Sequence, residues 1–150
     1  CVAQALHWFQ YDAFFNEVRR VSKPGAIFAA IGYGWFQVDD HFDRELSERV
    51  LVPIEPYWAP ENRVLWNEYR DVPFPFEKIE APALSIEMRW SFSELMSYLR
   101  TWSAVRLFQA DAKRDVLNDT APELVQAWGS DPEETRSVTM PVFVLAGRVE

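Results

Sequence analysis

One cysteine, two histidines and five glycines in 150 residues put several kinds of chemistry out of reach. Cys1 alone cannot close an intrachain disulfide, and a zinc site built on several thiolates is excluded with it. No apolar run approaches the ~20 residues of a membrane-spanning helix. The first residues also lack the pattern of a secretory signal. Neither G-x-G-x-x-G nor a Walker-type loop occurs, and the bare G-x-G at Gly32–Gly34 is too common in loops to signal a cofactor. Clustered positive charge is missing too: residues 1–75 carry 11 acids and 7 bases, residues 76–150 carry 12 and 8, and the net charge is −8. Those electrostatics disfavour a nucleic-acid partner. A soluble chain in a reducing, cytoplasmic setting, with no membrane and no nucleic-acid contact, is the expectation.

What the chain has in quantity is aromatic rings: 11 Phe, 7 Trp and 5 Tyr. Such a content builds either thick aromatic packing or a cavity with ring-lined walls. The length suits one domain or a large piece of one.

"CVAQAL" has the character of a buried strand end running into a loop. The clearest helix follows. Tyr11, Phe14, Phe15, Val18 and Val21 fall on one face of a 3.6-residue period, Asp12 can cap its start, and "KPG" stops it. "AIFAAIGYG" is apolar without alternation, which predicts a central strand covered on both faces. Strand, helix and strand at these spacings make a right-handed crossover in a parallel sheet, so the expected fold class is α/β. Phe42, Leu46 and Val50 at four-residue steps predict a second helix, which Pro53, Pro56 and Pro60 are expected to break before a short helix in "ENRVLWNEYRD". "VPFPFEKIEAP" should be extended, and "ALSIEMRW" a strand. "SFSELMSYLRTWSAV" should be helical, with Ser91 or Ser93 as cap. "TAPELVQAWGSD" predicts a shorter helix capped by Thr120, with Pro122 in its first turn and Gly129 at its end. The terminal strand, "SVTMPVFVLAGRVE", is apolar on both faces and should be internal, with Pro141 near its start or at a bulge. These strands are too few for a whole doubly wound sheet, so another half is expected ahead of residue 1.

"AQALHWFQYDAFFNEVRRVSKPGAIFAAIGYG" resembles the region from the fourth to the fifth strand of class I S-adenosylmethionine-dependent methyltransferases. The likeness is to the small-molecule, trans-aconitate methyltransferase-like branch, and "LWNEYRDVPFPFE", "SYLRTWSAV" and "MPVFVLAGR" extend it over nearly the whole chain. Gln10 stands where that branch usually has Asp, and "SKPGA" replaces "LKPGG". The resemblance implies the C-terminal portion of a doubly wound, Rossmann-like sheet with helical insertions. It would hold the end of strand four, strand five at 26–33, strand six at 83–90 and an antiparallel strand seven at 139–147. Residues 1–150 would then be the C-terminal part of a single domain, and 36–82 a substrate lid between strands five and six. The cofactor implied is S-adenosylmethionine, with its main glycine-rich binding loop lying outside this chain.

The candidate residues follow from that placement. The resemblance puts Ala3, Gln4 and Ala5 beside the methionyl end of the cofactor, where small side chains let a ligand approach the backbone and Gln4 can donate to a carboxylate. His7, at the carboxyl end of a central strand, could act as a base or hydrogen-bond a substrate carboxylate, or it could be a structural histidine at a helix start. Trp8 could offer an aromatic face to a sulfonium cation. Tyr33 and Trp35 follow strand five, where the family builds its acceptor pocket. Arg100 and Arg106 could clamp an acidic substrate, with surface ion pairing as the other reading, and Trp102 could line the pocket or pack the core. No metal ligand set is suggested.

The activity implied is methyl transfer to a small-molecule carboxylate or hydroxyl when the domain is complete, with the 150-residue chain alone inactive. The contrasting reading is a non-catalytic binding or dimerisation module that keeps a methyltransferase-like half-fold. A homo-oligomer would then cover the open sheet edge.

Overall fold

The computed structural model describes residues 1–129 and 131–150. Five strands form one sheet in the order β1-β2-β5-β3, with β4 also paired to β5. β1 (Val2–Ala3) runs parallel to β2 (Ile27–Tyr33), which sets Val2 opposite Ala30 and Ala3 opposite Ile31. β5 (Arg136–Arg148) is antiparallel to β2, from Ile27 opposite Arg148 to Tyr33 opposite Val142. β3 (Glu77–Ile79) is antiparallel to β5 on its other side, and β4 spans Leu84–Trp90. The last strand is therefore internal, as its two-sided apolar pattern predicts. Pro141 sits just past the final β2–β5 pair, where its carbonyl accepts the Gly34 N–H at 2.8 Å.

The chain divides into two compact units, one of Cys1–Trp35, Pro60–Ile86 and Met140–Glu150, the other of Phe36–Ala59 and Glu87–Thr139. In the first, α1 (Tyr11–Val21) lays Phe14, Phe15 and Val18 against Phe28 and Ala30 of β2. Phe74 and Phe76 close this core. Phe15 meets Phe28 at 5.9 Å and Phe76 at 5.6 Å, both nearly perpendicular, a geometry that adds about 0.5–1.5 kcal/mol per pair beyond burial. Proline-stiffened backbone at Pro73 and Pro75 delivers these two rings with little entropy to lose. The expected cover on both faces of β2 is not what the unit has. Phe28 and Ala30 are buried under α1, while Ile27 and Ile31 on the opposite face are exposed.

The short helix α4 (Asn62–Trp66) ends sooner than "ENRVLWNEYRD" predicts. Glu68 N–H bonds Leu65 O at 2.9 Å and Tyr69 N–H bonds Val64 O at 3.0 Å, the paired closing bonds of a Schellman motif. That motif wants a left-handed residue, usually glycine, yet Glu68 (φ 55°) and Tyr69 (φ 59°) supply it here.

In the second unit, α2 (Asp40–Leu46) starts at Asp39, whose carboxylate accepts the His41 and Phe42 N–H groups at 2.8 and 2.9 Å. A π-helical turn at Ser47–Leu51 then leads into α3 (Val52–Ile54), so Pro53 does not break the helix as expected. The widened turn bonds Val52 N–H to Ser47 O and lets the chain pass a residue that has no N–H of its own. Phe42, Leu46, Val50 and Ile54 form one buried stripe along this run. α5 (Phe92–Arg100) opens with a capping box: Ser91 Oγ accepts the Glu94 N–H, and the Glu94 carboxylate accepts the Ser91 N–H at 2.8 Å. The expected continuation through "RTWSAV" is instead a second helix, α6 (Ser103–Ala112).

α7 (Val116–Trp128) also starts earlier than its sequence suggests. Asp115, not Thr120, is the cap, accepting from Leu117 and Asn118, while the Thr120 hydroxyl donates to Val116 O inside the helix. Pro122 is therefore interior, and Gly129 (φ 122°) ends the helix as expected. Trp128, wholly buried, packs edge-on to Phe42 at 5.2 Å and donates its indole N–H to Glu134 O at 2.9 Å.

Candidate functional site

β1 and β2 are parallel, so the segments leaving them emerge at the same edge of the sheet. Open α/β sheets bind their ligands at that carboxyl edge. Ala3, Gln4 and Ala5 leave β1 there, and Tyr33, Gly34 and Trp35 leave β2. Gln4 ties the two segments together: its side-chain Oε1 accepts the Tyr33 N–H at 2.9 Å, while its backbone N–H donates to Ile31 O at 2.9 Å. Gln4 holds a left-handed backbone (φ 51°) to do both. The side-chain amide hydrogens take no part in either bond. Ala3 is exposed and Ala5 half-buried, and their short side chains keep the backbone approachable.

The chain then turns through the 3-10 segment Leu6–Trp8. Leu6 and His7 turn inward, while the Trp8 indole stays 53% exposed with its ring 4.6 Å from the imidazole. Burial lowers the pKa of His7 and the nearby Glu61 carboxylate opposes it only in part, so the imidazole is neutral at pH 7. Beneath it lies Tyr69, 1% exposed and stacked at 6.5 Å between ring centres. Burial raises the pKa of this phenol, with the Leu6 amide pulling the other way and Tyr11 adding to the rise. Trp35, on the β2 side of the same unit, packs on Trp66 at 5.6 Å.

The remaining candidates belong to the second unit. Trp102 stands in an aromatic group with Trp58 at 5.6 Å, Tyr98 at 5.7 Å and Phe36 at 6.2 Å. Arg100 is engaged by the protein itself, donating to Asn118 Oδ1 at 2.8 Å and pairing with Asp115 at 3.6 Å. Arg106 is exposed on α6. Two residues were missed by sequence reading: Glu61, which sets the charge beside His7, and Tyr69, whose bland helical spacing hides its place under the imidazole.

A groove of about 310 Å³ lined by Asp12, Phe15, Asn16, Arg19, Pro73 and Pro75 includes none of the candidates. Among the described residues no group of three or more His, Cys, Asp or Glu is placed to hold a metal ion. No helix among them is long and apolar enough to cross a membrane.

A mixed, partly open sheet with helical insertions and polar groups gathered at the carboxyl edge of its parallel strands places this chain in the Rossmann-type class. Its particular form is the class I methyltransferase-like fold. A solved structure from Anaeromyxobacter dehalogenans, provisionally described as a type II methyltransferase, matches 98% of this chain with TM-score 0.89 and 43% identity. A Dictyostelium discoideum protein, provisionally named a methyltransferase, is 25% identical over 154 residues covering 99% of this chain. The chain spans 62% and 59% of those two proteins, respectively. No protein-family model matches the sequence.

Proposed function

We propose that the full protein carrying this chain transfers a methyl group from S-adenosylmethionine to a small-molecule acceptor, a carboxylate or a hydroxyl. The observation that carries the reading is the 43% identity and TM-score of 0.89 to a protein provisionally described as a methyltransferase. In this reading β1 and β2 are strands four and five of the family sheet, β4 is strand six and β5 strand seven. Residues 36–82 form a lid over the acceptor, and the single domain continues beyond these 150 residues.

The residues at the carboxyl edge fit one side of such a cofactor. Ala3 and Ala5 leave room beside the backbone, and the exposed Trp8 face suits a sulfonium cation. When bound, the cofactor supplies a methyl group activated for in-line attack by an acceptor oxygen. The protein's part is alignment and exclusion of water. Gln4 fixes the spacing of the two strand ends through Tyr33, and its side-chain amide is the donor for a carboxylate. Tyr33 and Trp35 supply wall beside the strand ends of the first unit, and Trp102 and Arg106 are the second unit's candidates for substrate contact, Arg106 being exposed while Arg100 is held by Asp115 and Asn118. His7, neutral at pH 7, hydrogen-bonds the acceptor.

Calorimetry of S-adenosylmethionine against the full-length protein tests this. Micromolar binding is expected, and no heat of binding at high micromolar concentration overturns it. The purified 150-residue chain is expected to show no turnover.

A further inference from the structure

Two polar groups in the first unit are buried with hydrogen-bonding capacity unfilled, and they belong to neighbouring rings. His7 Nδ1 makes no hydrogen bond, and the Tyr69 hydroxyl, though its oxygen feels the Leu6 N–H, finds no acceptor for its own hydrogen. Their residues are 5% and 1% exposed, and the rings lie 6.5 Å apart with planes inclined by only 27°. Folded proteins rarely leave such groups unsatisfied. These two are complementary, because a neutral imidazole nitrogen accepts and a phenol O–H donates.

Tyr69 reaches this position at a conformational cost. A regular helix would not carry it there. The chain instead closes α4 with two consecutive left-handed residues that have side chains, Glu68 and Tyr69, held by bonds to Leu65 and Val64. Phe143 then meets the Tyr69 ring edge-on at 5.2 Å and braces it from another side. Strain of this kind persists only where the surroundings over-determine it, and it gathers at functional sites.

We propose that Tyr69 is the positioning residue of His7: its hydroxyl donates to Nδ1 across one water and holds the imidazole in the Nε2–H form. The consequence is directional. With the proton on Nε2, His7 donates a hydrogen bond to an oxygen of the methyl acceptor and does not take a proton from it. Burial favours the same neutral form, against the pull of Glu61. This step rests on the reading that His7 faces the acceptor, whereas the tautomer itself does not depend on it.

The test is long-range ¹H–¹⁵N correlation on ring-labelled protein at pH 7, without cofactor or acceptor. The His7 signals are identified by their loss in His7→Gln, which separates them from His41 and every other imidazole of the protein. The expected pattern is a protonated Nε2 and an unprotonated Nδ1. In Tyr69→Phe, which keeps the buried ring, the signal is expected to shift to a mixture of both tautomers. An Nδ1–H tautomer or an imidazolium in the parent protein overturns the proposal with no need of the variant. A pattern unchanged in a folded Tyr69→Phe protein overturns it as well. Loss of S-adenosylmethionine binding in the calorimetric test would remove the methyl-transfer reading and leave this result standing.

Discussion

Gly32 and Phe143 face each other across the β2–β5 ladder, and the absence of a side chain on one makes room for the ring of the other. A Cβ added at Gly32 would lie 2.2, 2.3 and 3.0 Å from Phe143 Cζ, Cε2 and Cε1. Ordinary carbon contacts lie at about 3.5–4.0 Å, so the ring must move by more than an ångström. It has little freedom to do so, because its far side meets Tyr69 at 5.2 Å. Gly32→Ala should therefore cost about 1–3 kcal/mol, the range for forcing extra atoms into a packed site. The backbone at Gly32 is not left-handed. Without the ring, alanine would gain about 0.5–1 kcal/mol over glycine in a strand.

The three blocking atoms all lie beyond Cδ of the phenylalanine, and leucine has none of them. In a Phe143→Leu background the same Gly32→Ala change should thus cost nearly nothing or stabilise. Urea unfolding of the parent, the two single variants and the double variant gives the coupling, which should reach about 1–3 kcal/mol in the compensating direction. Additivity within about 0.5 kcal/mol would refute the steric argument. Gly147 supplies the contrast. Its added Cβ would meet Phe74 Cε1 at 2.6 Å but also the Glu77 carbonyl oxygen at 2.8 Å, and a backbone atom cannot be trimmed away. Phe74→Leu should rescue Gly147→Ala only in part.

Three further outcomes can be measured. Trp128→Phe removes the indole N–H from Glu134 O and thins a core post between Phe42 and Phe92; a loss of about 2–4 kcal/mol in urea unfolding is expected, and one below about 0.5 kcal/mol would show that Trp128 bears little of the second unit's stability. Glu68→Gly relieves a left-handed non-glycine residue where a Schellman motif prefers glycine, so stability should rise by about 0.5–1 kcal/mol, and an unchanged or lower melting temperature would contradict that. The Asp39 carboxyl is held below its ordinary value by the Phe42 N–H first, then by Arg136 and the His41 N–H. The unfolded chain binds that proton more readily, so the stabilisation is full above the unfolded value of about 4 and is lost as the pH falls through the lower folded value. The advantage of the parent over Asp39→Asn should shrink below pH about 4, and a gap constant from pH 7 to pH 3 would exclude the linkage.

What the sequence revealed tracks the range over which each signal acts. Tyr11, Phe14, Phe15 and Val18 mark α1 because a helix repeats its buried face every turn, and β5 shows itself as internal because both of its faces are apolar. Helix limits were less legible. Pro53 looks like a stop until a π turn six residues earlier widens the helix, and Thr120 looks like a cap until Asp115 takes that place. The bond from Gln4 to the Tyr33 amide joins positions 29 residues apart, and nothing local announces it. Tyr69 was equally hidden, since an aromatic residue after a short helix carries no mark of a left-handed backbone.

That hidden conformation bears on where function lies. Gln4, Glu68, Tyr69 and Lys113 are the residues other than glycine with positive φ among those described. Lys113 follows the end of α6, an ordinary place for one left-handed residue. The other three belong to the first unit and bracket His7: Gln4 precedes it by three residues, and Glu68 and Tyr69 bring a ring against its imidazole. Each strained residue is held by bonds that a relaxed backbone would lose, Gln4 through Ile31 and Tyr33, Glu68 and Tyr69 through Leu65 and Val64. A fold that needed only a hydrophobic core here could relax all three with glycine. Keeping side chains at these positions preserves a Gln amide at the strand edge and a phenol beneath a buried imidazole, and both groups can hydrogen-bond. The strain thus gathers around His7, the residue on which the proposed hydrogen bonds to Tyr69 and to the acceptor converge.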